Sequence, residues 1–198
     1  MWKVLCEDFF QRYVDKDQAV LDMGAGCCEF INAIVCRKKY ALDADSGVIA
    51  HAAAGVTPLI GSGRQASELL QGVRVDVVFM CNFLEHLQSK DELTETLREV
   101  LRILTDGGRL LILQPNIRYC SKQYWDFFDH NIALSHLSLQ EILRFVGFEL
   151  CQVKPKFLPY TTKSRLPLHP LLVKAYLLLP PAQWIMGKQM FVVARKAG

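Results

Sequence analysis

The chain has little that would indicate nucleic-acid binding, fibrous structure or disorder. Its 198 residues carry 23 Lys and Arg against 20 Asp and Glu, and no block of like charge exceeds the three residues 37–39. So slight an imbalance, a formal net charge of +3, gives no electrostatic ground for a nucleic-acid partner, and none is expected. With 51% hydrophobic and 22% charged residues, the composition is that of one globular domain.

The seven cysteines lack the spacing of a metal or redox motif. Their number is odd and no two are spaced Cys-x-x-Cys, so no metal site is predicted from them. The chain reaches Glu7 and Asp8 before any long apolar run, which is unlike a secretory leader. We therefore expect free thiols and a cytoplasmic location. The most apolar stretch, 166–186, contains four prolines and Lys174, so a single membrane-spanning helix is not expected.

Short apolar runs alternate with segments of helical period, which is typical of a sheet with crossover helices. Strands are predicted at 19–23, 40–43, 57–60, 75–81, 109–113, 148–153 and 189–195. Helices are predicted at 29–35, 46–54 and 169–179. Two more begin at capping boxes: one runs from the box at 89–92 to the Asp-Gly-Gly turn at 106–108, and the other from the box at 138–141 to Gly147. We expect a doubly wound α/β fold: a mostly parallel seven-stranded sheet with helices on both faces and an antiparallel last strand.

A glycine-rich turn follows the first predicted strand. Two glycines one residue apart, Gly24 and Gly26, let the backbone turn tightly under a ligand just before a helix. The alternative is a turn that is glycine-rich for packing alone. A dinucleotide fingerprint would need a third glycine where Glu29 stands, and that carboxylate would repel a pyrophosphate. The turn therefore favours a nucleoside ligand without phosphate.

Asp43 ends the second predicted strand, 19 positions after Gly24. A carboxylate at this spacing accepts hydrogen bonds from both hydroxyls of a ribose in nucleoside-binding sheets. The alternative is a solvated strand-end residue like its neighbour Asp45.

Four segments in order, VLDMGAG, ALDAD, VDVVFMCNFLEHL and LTDGGRLLILQPN, resemble the motif series of class I S-adenosylmethionine-dependent methyltransferases. The resemblance covers residues 19–153. It is closest to the small-molecule branch in which the fourth strand ends in Asn-x-x-Glu-His-Leu. The whole chain also resembles, loosely, methyltransferases associated with bacterial surface-glycan assembly.

The resemblance implies S-adenosylmethionine as the cofactor and a set of residues that contact it. These are Asp22, Gly24, Ala25 and Gly26 at its methionine end, Asp43 and Ala44 at the ribose, Gln65 at the adenine, and Cys81 and Asn82 beside the methyl group. Two positions depart from the family pattern. Cys28 replaces a third glycine, and no acidic residue follows strand three, so Gln65 or a backbone carbonyl would contact the adenine amino group.

The acceptor side is expected in the aromatic block at 114–139, which covers either a substrate or the core. A hydroxyl acceptor must lose a proton, and histidine is the side chain best suited to take it near neutral pH. His130, flanked by Asp129, is the first candidate for a catalytic base, and His86, beside Glu85, is the second. The alternative role for both is to anchor the helix after strand four.

We divide the chain into a methyltransferase core at 1–153, an insertion at 154–188 and the final strand at 189–198. The insertion could cap the acceptor site, pair two subunits, contact a membrane surface or pack as an extra helix. The expected function is methyl transfer to a small-molecule or glycan acceptor at oxygen. The rivals are an NAD(P)-dependent oxidoreductase and a non-catalytic cofactor-binding regulator, whose pocket would lack a titratable group. The oligomeric state is left open.

Overall fold

The predicted alternation produces one seven-stranded sheet in this computed structural model, which describes residues 1–160 and 169–197. The strands are β1 (Ala19–Met23), β2 (Lys38–Asp43), β3 (Val56–Ile60), β4 (Val75–Cys81), β5 (Leu104–Pro115), β6 (Phe148–Lys154) and β7 (Gln189–Lys196). Their order is β3-β2-β1-β4-β5-β7-β6, and β7 is antiparallel to both of its neighbours. The predicted fold class is confirmed.

Helices cover both faces of this sheet. They are α1 (Trp2–Asp8), α2 (Glu29–Ala33), α3 (Val48–His51), α4 (Ala66–Leu69), α5 (Lys90–Ile103), α6 (Ile117–Tyr124), α7 (His136–Val146), α8 (Pro170–Leu178) and α9 (Pro180–Met186). Turns of 3-10 helix lie at Phe10–Tyr13, Gly63–Gln65 and Leu84–His86. One hydrophobic core joins the sheet to α4, α5 and α7, and the other joins it to α1, α2, α3 and α8.

The central strands bring three chain segments to one edge of the sheet. All five residues of β1 are buried, as expected for a strand covered on both faces. Met23 at its end is paired with Leu42 of β2 and Met80 of β4. Strand order reverses between β1 and β4, and ligands of such sheets bind at the carboxyl ends beside this point.

Two helices differ from their predicted bounds. The first box is confirmed, since Ser89 Oγ accepts a hydrogen bond from Glu92 N–H at 3.1 Å, but α5 ends at Ile103 because Leu104 is already extended and begins β5. The second box lies one turn earlier than predicted. Ser135 is the N-cap of α7, and its Oγ accepts from Ser138 N–H at 3.1 Å.

Several elements were shorter than predicted or were not predicted. The helices predicted at 29–35 and 46–54 are limited to 29–33 and 48–51, because the backbone is extended at Ile34 and Ala52. The aromatic block at 114–139, interpreted as loop-like, contains α6. No helix was predicted for α1 or α9.

The insertion begins by packing into the core. Phe157 is completely buried, with its ring 4.3 Å from Phe9 and 5.6 Å from Phe191 between centroids. Lys174 on α8 lies 3.3 Å from Asp8 on α1. The sequence also predicts a basic, extended segment at 154–165, of which residues 161–165 lie outside the described residues. In the part of the chain that the structure describes, no helix combines the length and apolar character needed to cross a bilayer.

Candidate active site

The loop after β1 is held against β2 by its own backbone. The N–H groups of Gly24 and Ala25 both donate to the carbonyl of Leu42, at 2.8 and 3.1 Å. Gly24 has φ +76°, and a Cβ there would lie 2.5 Å from the ring of Phe83. Only glycine therefore lets Phe83, just beyond β4, close over this loop.

Open space remains beside the second glycine of the loop. Gly26 has φ +47°, and a Cβ added there would meet nothing within 4 Å. Cys28, at the position where the family pattern has a third glycine, also adopts a left-handed conformation, with φ 58°. Its side chain is fully buried, and its Sγ lies 3.7 Å from the carbonyl of Val48. The Cys28 side chain therefore fills space beneath the loop that a glycine would leave unfilled.

Asp43 holds the same loop from the end of β2. Its Oδ2 accepts from Gly26 N–H at 2.8 Å and its Oδ1 from Asp45 N–H at 2.9 Å. Each carboxylate oxygen has a second lone pair, so both can still accept a ribose hydroxyl. Ala44 is exposed beside it. Asp43 therefore has a structural role that the sequence did not predict, without losing its capacity for the predicted one.

Asp22, near the end of β1, is a buried carboxyl group with only 3% of its surface exposed. Burial raises its pKa to about 7, and the carboxylate of Asp43 adds to this, while a hydrogen bond from the Ile31 backbone opposes it. A cation bound nearby would favour the ionised form. The ammonium and sulfonium groups of S-adenosylmethionine are such cations, and they fit this environment.

Gln65 has a local partner that the sequence did not predict. Its Oε1 accepts from Ser62 N–H at 3.0 Å, while Ser62 Oγ accepts from Arg64 N–H at 3.3 Å. The side chain thus forms a capping box at the turn after β3. The oxygen that would contact an adenine amino group accepts one hydrogen bond in this turn and keeps a second lone pair for that contact.

The end of β4 connects the cofactor loop to the rest of the site. Asn82 adopts φ 47°, its N–H donates to the carbonyl of Leu113, and its Oδ1 accepts from Gln189 Nε2 at 3.3 Å. Burial raises the pKa of the Cys81 thiol well above its usual value, and the charges of Asp22 and Glu85 both add to the effect.

Three polar side chains converge just beyond β4. Glu85, His86 and His130 each offer a carboxylate oxygen or ring nitrogen, and these three atoms lie within 4.8 Å of one another. Glu85 is 1% exposed. Burial raises its pKa to about 8, the charge of Asp129 adds to this, and the amide of the buried Gln114 beside it acts in the opposite direction. We call these three residues the Glu–His–His cluster.

Backbone hydrogen bonds join the two chain segments that form this cluster. The carbonyl of Glu85 accepts from the N–H groups of Asn131 and Ile132, at 2.8 and 3.2 Å. The side-chain amide of Asn131 donates to the carbonyl of His86 at 3.2 Å. His86 Nδ1 also lies 3.2 Å from Asp129 Oδ2. The loop carrying His130 is thus fixed against the turn that follows β4.

Aromatic rings enclose His130, which is 8% exposed. Its ring centroid lies 4.6 Å from that of Tyr124, 5.0 Å from Phe127 and 5.2 Å from His86. Burial lowers the pKa of His130, and repulsion from His86 adds to this, so the neutral imidazole is favoured. Other aromatic side chains of the block, Tyr119, Trp125 and Phe128, are exposed.

The sequence singled out the two histidines but missed the residues around them. Glu85 and Gln114 are nearly or completely buried and polar, and Phe83 closes on the cofactor loop. All three lie in the motifs quoted above, directly after β4 or at the end of β5. Their position at the carboxyl edge was the available signal.

Comparison with known proteins shows which family and which solved structures this chain resembles. Residues 21–112, a little under half of the chain, match a family described as a methyltransferase domain. The fold is similar to a solved S-adenosylmethionine-dependent methyltransferase from Archaeoglobus fulgidus, with 17% identity over 98% of this chain and 92% of that one, and a TM-score of 0.70. One from Methanosarcina mazei has 15% identity over 95% and 96%, and a TM-score of 0.67. One from Thermotoga maritima, described as a possible histamine N-methyltransferase, has 18% identity over 98% and 89%, and a TM-score of 0.64. None of the curated proteins compared with the chain matches it.

The family match and the sheet order support a methyltransferase, and the solved S-adenosylmethionine-dependent methyltransferases share the fold of this chain. The protein is an S-adenosylmethionine-dependent methyltransferase, and the rival oxidoreductase interpretation is not supported. The open space at Gly26 and the buried carboxyl of Asp22 fit this cofactor.

Proposed function

We propose that this methyltransferase acts on a hydroxyl oxygen of a small-molecule or glycan acceptor. The observation that carries the proposal is the Glu–His–His cluster, a buried titratable group at the carboxyl edge of the sheet. A non-catalytic regulator of the same fold would need no such group in its acceptor pocket. The cluster therefore favours an enzyme that must remove a proton from its acceptor.

The cofactor side is proposed to position the methyl donor, which supplies an electrophilic methyl group on a sulfonium. Asp22, Gly24, Ala25 and Gly26 would bind its methionine end, Asp43 and Ala44 its ribose, and Cys81 and Asn82 would lie beside the methyl group. Gln65 would contact the adenine through the second lone pair of its Oε1, the first of which accepts from Ser62 N–H. Holding donor and acceptor in line supplies most of the rate in such a displacement.

His130 is the first candidate for the proton acceptor. Its lowered pKa favours the neutral ring, and its buried Nδ1 has no hydrogen-bond partner among the described residues. An imidazole in this state can accept a proton near neutral pH. His86, 39% exposed at its side chain and directed at Asp129, is the second candidate.

Binding of S-adenosylhomocysteine, followed by calorimetry, tests the cofactor side. Asp43→Asn keeps an oxygen for the loop but loses the charge, so we expect affinity to fall by about ten- to a hundredfold, the scale of charge-assisted hydrogen bonds. Asp45→Asn, the neighbouring exposed acid, is the control and should bind as the wild type does. Equal affinity of Asp43→Asn and wild type would contradict the ribose contact.

Methyl transfer to a panel of sugar, phenol and amine acceptors tests the acceptor side. His130→Gln should retain its affinity for S-adenosylhomocysteine and lose turnover by about a hundred- to ten-thousandfold. His51→Gln, an exposed histidine on α3, is the matched control. Turnover on amines alone would overturn the oxygen assignment, and a small loss in His130→Gln would move the role to His86.

We also propose that the acceptor is presented at an anionic membrane surface. Large apolar side chains are exposed along and between α8 and α9: Leu171, Leu172, Leu178, Leu179, Trp184, Ile185 and Met186. Lys156 Nζ lies 4.8 Å from the centre of the Trp184 ring and 4.7 Å from that of Tyr119. Trp and Lys beside exposed leucines are typical of surfaces that rest in a lipid headgroup region. We call these seven residues the apolar surface.

A cytoplasmic location and the absence of a nucleic-acid partner stay predictions from composition. The division into a core, an insertion at 154–188 and a final strand is likewise our proposal. The contact of α8 with α1 supports an insertion that packs on the core and exposes one side.

A further inference from the structure

We propose that Glu85, His86 and His130 hold one divalent transition-metal ion. Their three potential ligand atoms already lie within 4.8 Å of one another. One carboxylate oxygen and two imidazole nitrogens form a donor set that suits Zn²⁺ and its first-row neighbours, whereas Mg²⁺ prefers oxygen ligands. The inference rests on the proposed function and concerns how the acceptor hydroxyl loses its proton.

Unpartnered buried atoms in the cluster point to a missing ligand. Among the described residues, Glu85 Oε2 and His130 Nδ1 are buried without a hydrogen-bond partner, and the two residues are only 1% and 8% exposed. Leaving a buried polar atom unpaired destabilises the folded chain, because the atom has lost its hydrogen bonds to water. A cation bound between them would satisfy both atoms at once.

The third side chain is held in place by a neighbouring acid. His86 Nδ1 lies 3.2 Å from Asp129 Oδ2 and 3.2 Å from the Asp129 carbonyl, so it is the nitrogen that donates a proton. Its Nε2 then keeps a free lone pair. A carboxylate that fixes a histidine in this way is the usual support of a metal-bound imidazole.

Little movement is needed to complete the site. Ligand atoms at about 2.0–2.1 Å from a zinc ion are roughly 3.3 Å apart, so the cluster must contract by at most about 1.5 Å. Side-chain rotations can supply this, because the hydrogen bonds of Glu85 to Asn131 and Ile132 already fix the backbone of the two segments.

Three protein ligands leave at least one position open, as in catalytic zinc sites. An acceptor hydroxyl next to the ion would have a lowered pKa, and its O–H bond would break with the electron pair left on oxygen and the proton released to water. His130 would then be a ligand and not a base. No metal-ligand spacing in the sequence indicates this site, because His130 is far along the chain from the adjacent pair Glu85 and His86.

Metal titration of the full chain after chelator treatment tests the site. We expect one Zn²⁺ per chain by calorimetry, with a micromolar dissociation constant, and the same stoichiometry for Co²⁺ by visible absorption. His86→Gln and His130→Gln should each weaken binding at least tenfold, the lower end of the effect of losing support for a metal ligand. His51→Gln is the matched control and should leave binding unchanged. Because Cys27 and Cys151 are exposed thiols, all variants carry Cys27→Ser and Cys151→Ser.

Two further measurements separate this inference from the proposed function. S-adenosylhomocysteine affinity shows whether each variant is folded, and His86, half-exposed, is the substitution least able to disturb folding. Failure to bind either metal, or binding that neither histidine variant weakens, overturns the site. Metal binding as expected without methylation of any hydroxyl would retain the site and overturn the proposed function. Hydroxyl methylation that full chelation leaves unchanged would overturn the catalytic role of the ion and leave His130 as the base.

Discussion

The proposed cofactor side and the proposed acceptor side of the sheet edge are built in different ways. The cofactor side is one short loop, 24–28, held by backbone hydrogen bonds to Leu42 and Asp43 at the end of the neighbouring strand. The acceptor side joins chain segments that are distant in sequence, with Glu85 and His130 buried at its centre. The structure of the cofactor side depends on which residue types its backbone conformation permits. The structure of the acceptor side depends on which buried titratable groups the fold brings together.

This difference decides how each side tolerates substitution. A left-handed backbone admits few residues other than glycine, so the cofactor side is limited by local conformation. The acceptor side has no such limit on its backbone, but it leaves Glu85 Oε2 and His130 Nδ1 buried without partners among the described residues. These unpaired polar atoms destabilise the folded chain, and a bound ligand that pairs with them would offset this.

Gly24→Ala should produce the largest loss. The methyl group would enter a backbone with φ +76° and lie 2.5 Å from Phe83, so we expect S-adenosylhomocysteine affinity to fall more than a hundredfold and the free energy of unfolding by about 3 kcal/mol. Gly72→Ala is the control, since φ is +80° but the space beside it is open. It should cost only about 1 kcal/mol. Equal effects of the two variants on affinity would show that Phe83 does not close the loop.

The apolar surface should produce the next largest effect. Trp184→Ser combined with Ile185→Ser should weaken binding to anionic phosphatidylserine vesicles at least tenfold in a sedimentation assay. Each of these two exposed side chains contributes about 1.5–3 kcal/mol to binding when it is fully inserted into the lipid. Phe145→Ser, an exposed residue of α7, is the control. Cofactor affinity should not change in either variant.

Two outcomes would contradict the membrane assignment. One is vesicle binding that the double variant does not weaken. The other is a stable dimer by light scattering that the double variant dissociates, with no vesicle binding by the wild type. That second result would identify the occupant of the apolar surface as another copy of the chain.

How much could be predicted from the sequence also follows this division. The bounds of β4, 75–81, are the predicted ones, because six of its seven residues, all except Asp76, are apolar, as expected for a strand covered on both faces. The glycine turn could likewise be predicted, because the residues that form it lie close together in the sequence. Neither α1 nor α6 was predicted, since their apolar positions mix with aromatics that also suit loops. The Glu–His–His cluster was divided into two candidate bases because sequence spacing carries no information on tertiary convergence.

Asp22 should give the cofactor side a pH dependence of several-fold. Its folded-state pKa is raised from 3.8 to about 7, so the folded chain binds more protons than the unfolded chain between these values. This contribution makes the unfolding free energy of the free protein fall as pH rises from about 4 to 7. Cofactor binding has the opposite sign, because a cationic ligand favours the ionised carboxylate.

Calorimetry with S-adenosylhomocysteine, whose ammonium group remains cationic, should therefore show affinity rising from pH 6 to pH 8. Asp22→Asn should reduce this dependence of affinity on pH. It should also remove the contribution of Asp22 to the dependence of the unfolding free energy on pH. The informative quantity is the difference between wild type and variant, since other groups titrate in the same range. An affinity that falls with pH in the wild type would contradict a contact between Asp22 and the cationic end of the cofactor.

The smallest effect concerns the helix that follows the acceptor loop, and it separates the predicted start of α7 from the observed one. Ser135 Oγ accepts from Ser138 N–H, and Ser138 Oγ accepts in return from Ser135 N–H at 2.9 Å. With Ser135 as the N-cap, Ser135→Ala should lower the unfolding free energy by about 1 kcal/mol in urea. Ser138→Ala removes the reciprocal bond and the bond that Ser138 Oγ donates to the Ser135 carbonyl at 3.1 Å, but it keeps the N-cap acceptor, so it should cost less. If the helix instead began after Ser138, as the pattern at 138–141 predicts, the order of the two losses would be reversed. Because α7 starts four residues after Ile132, the same pair of variants also reports on the anchoring of the loop that carries His130.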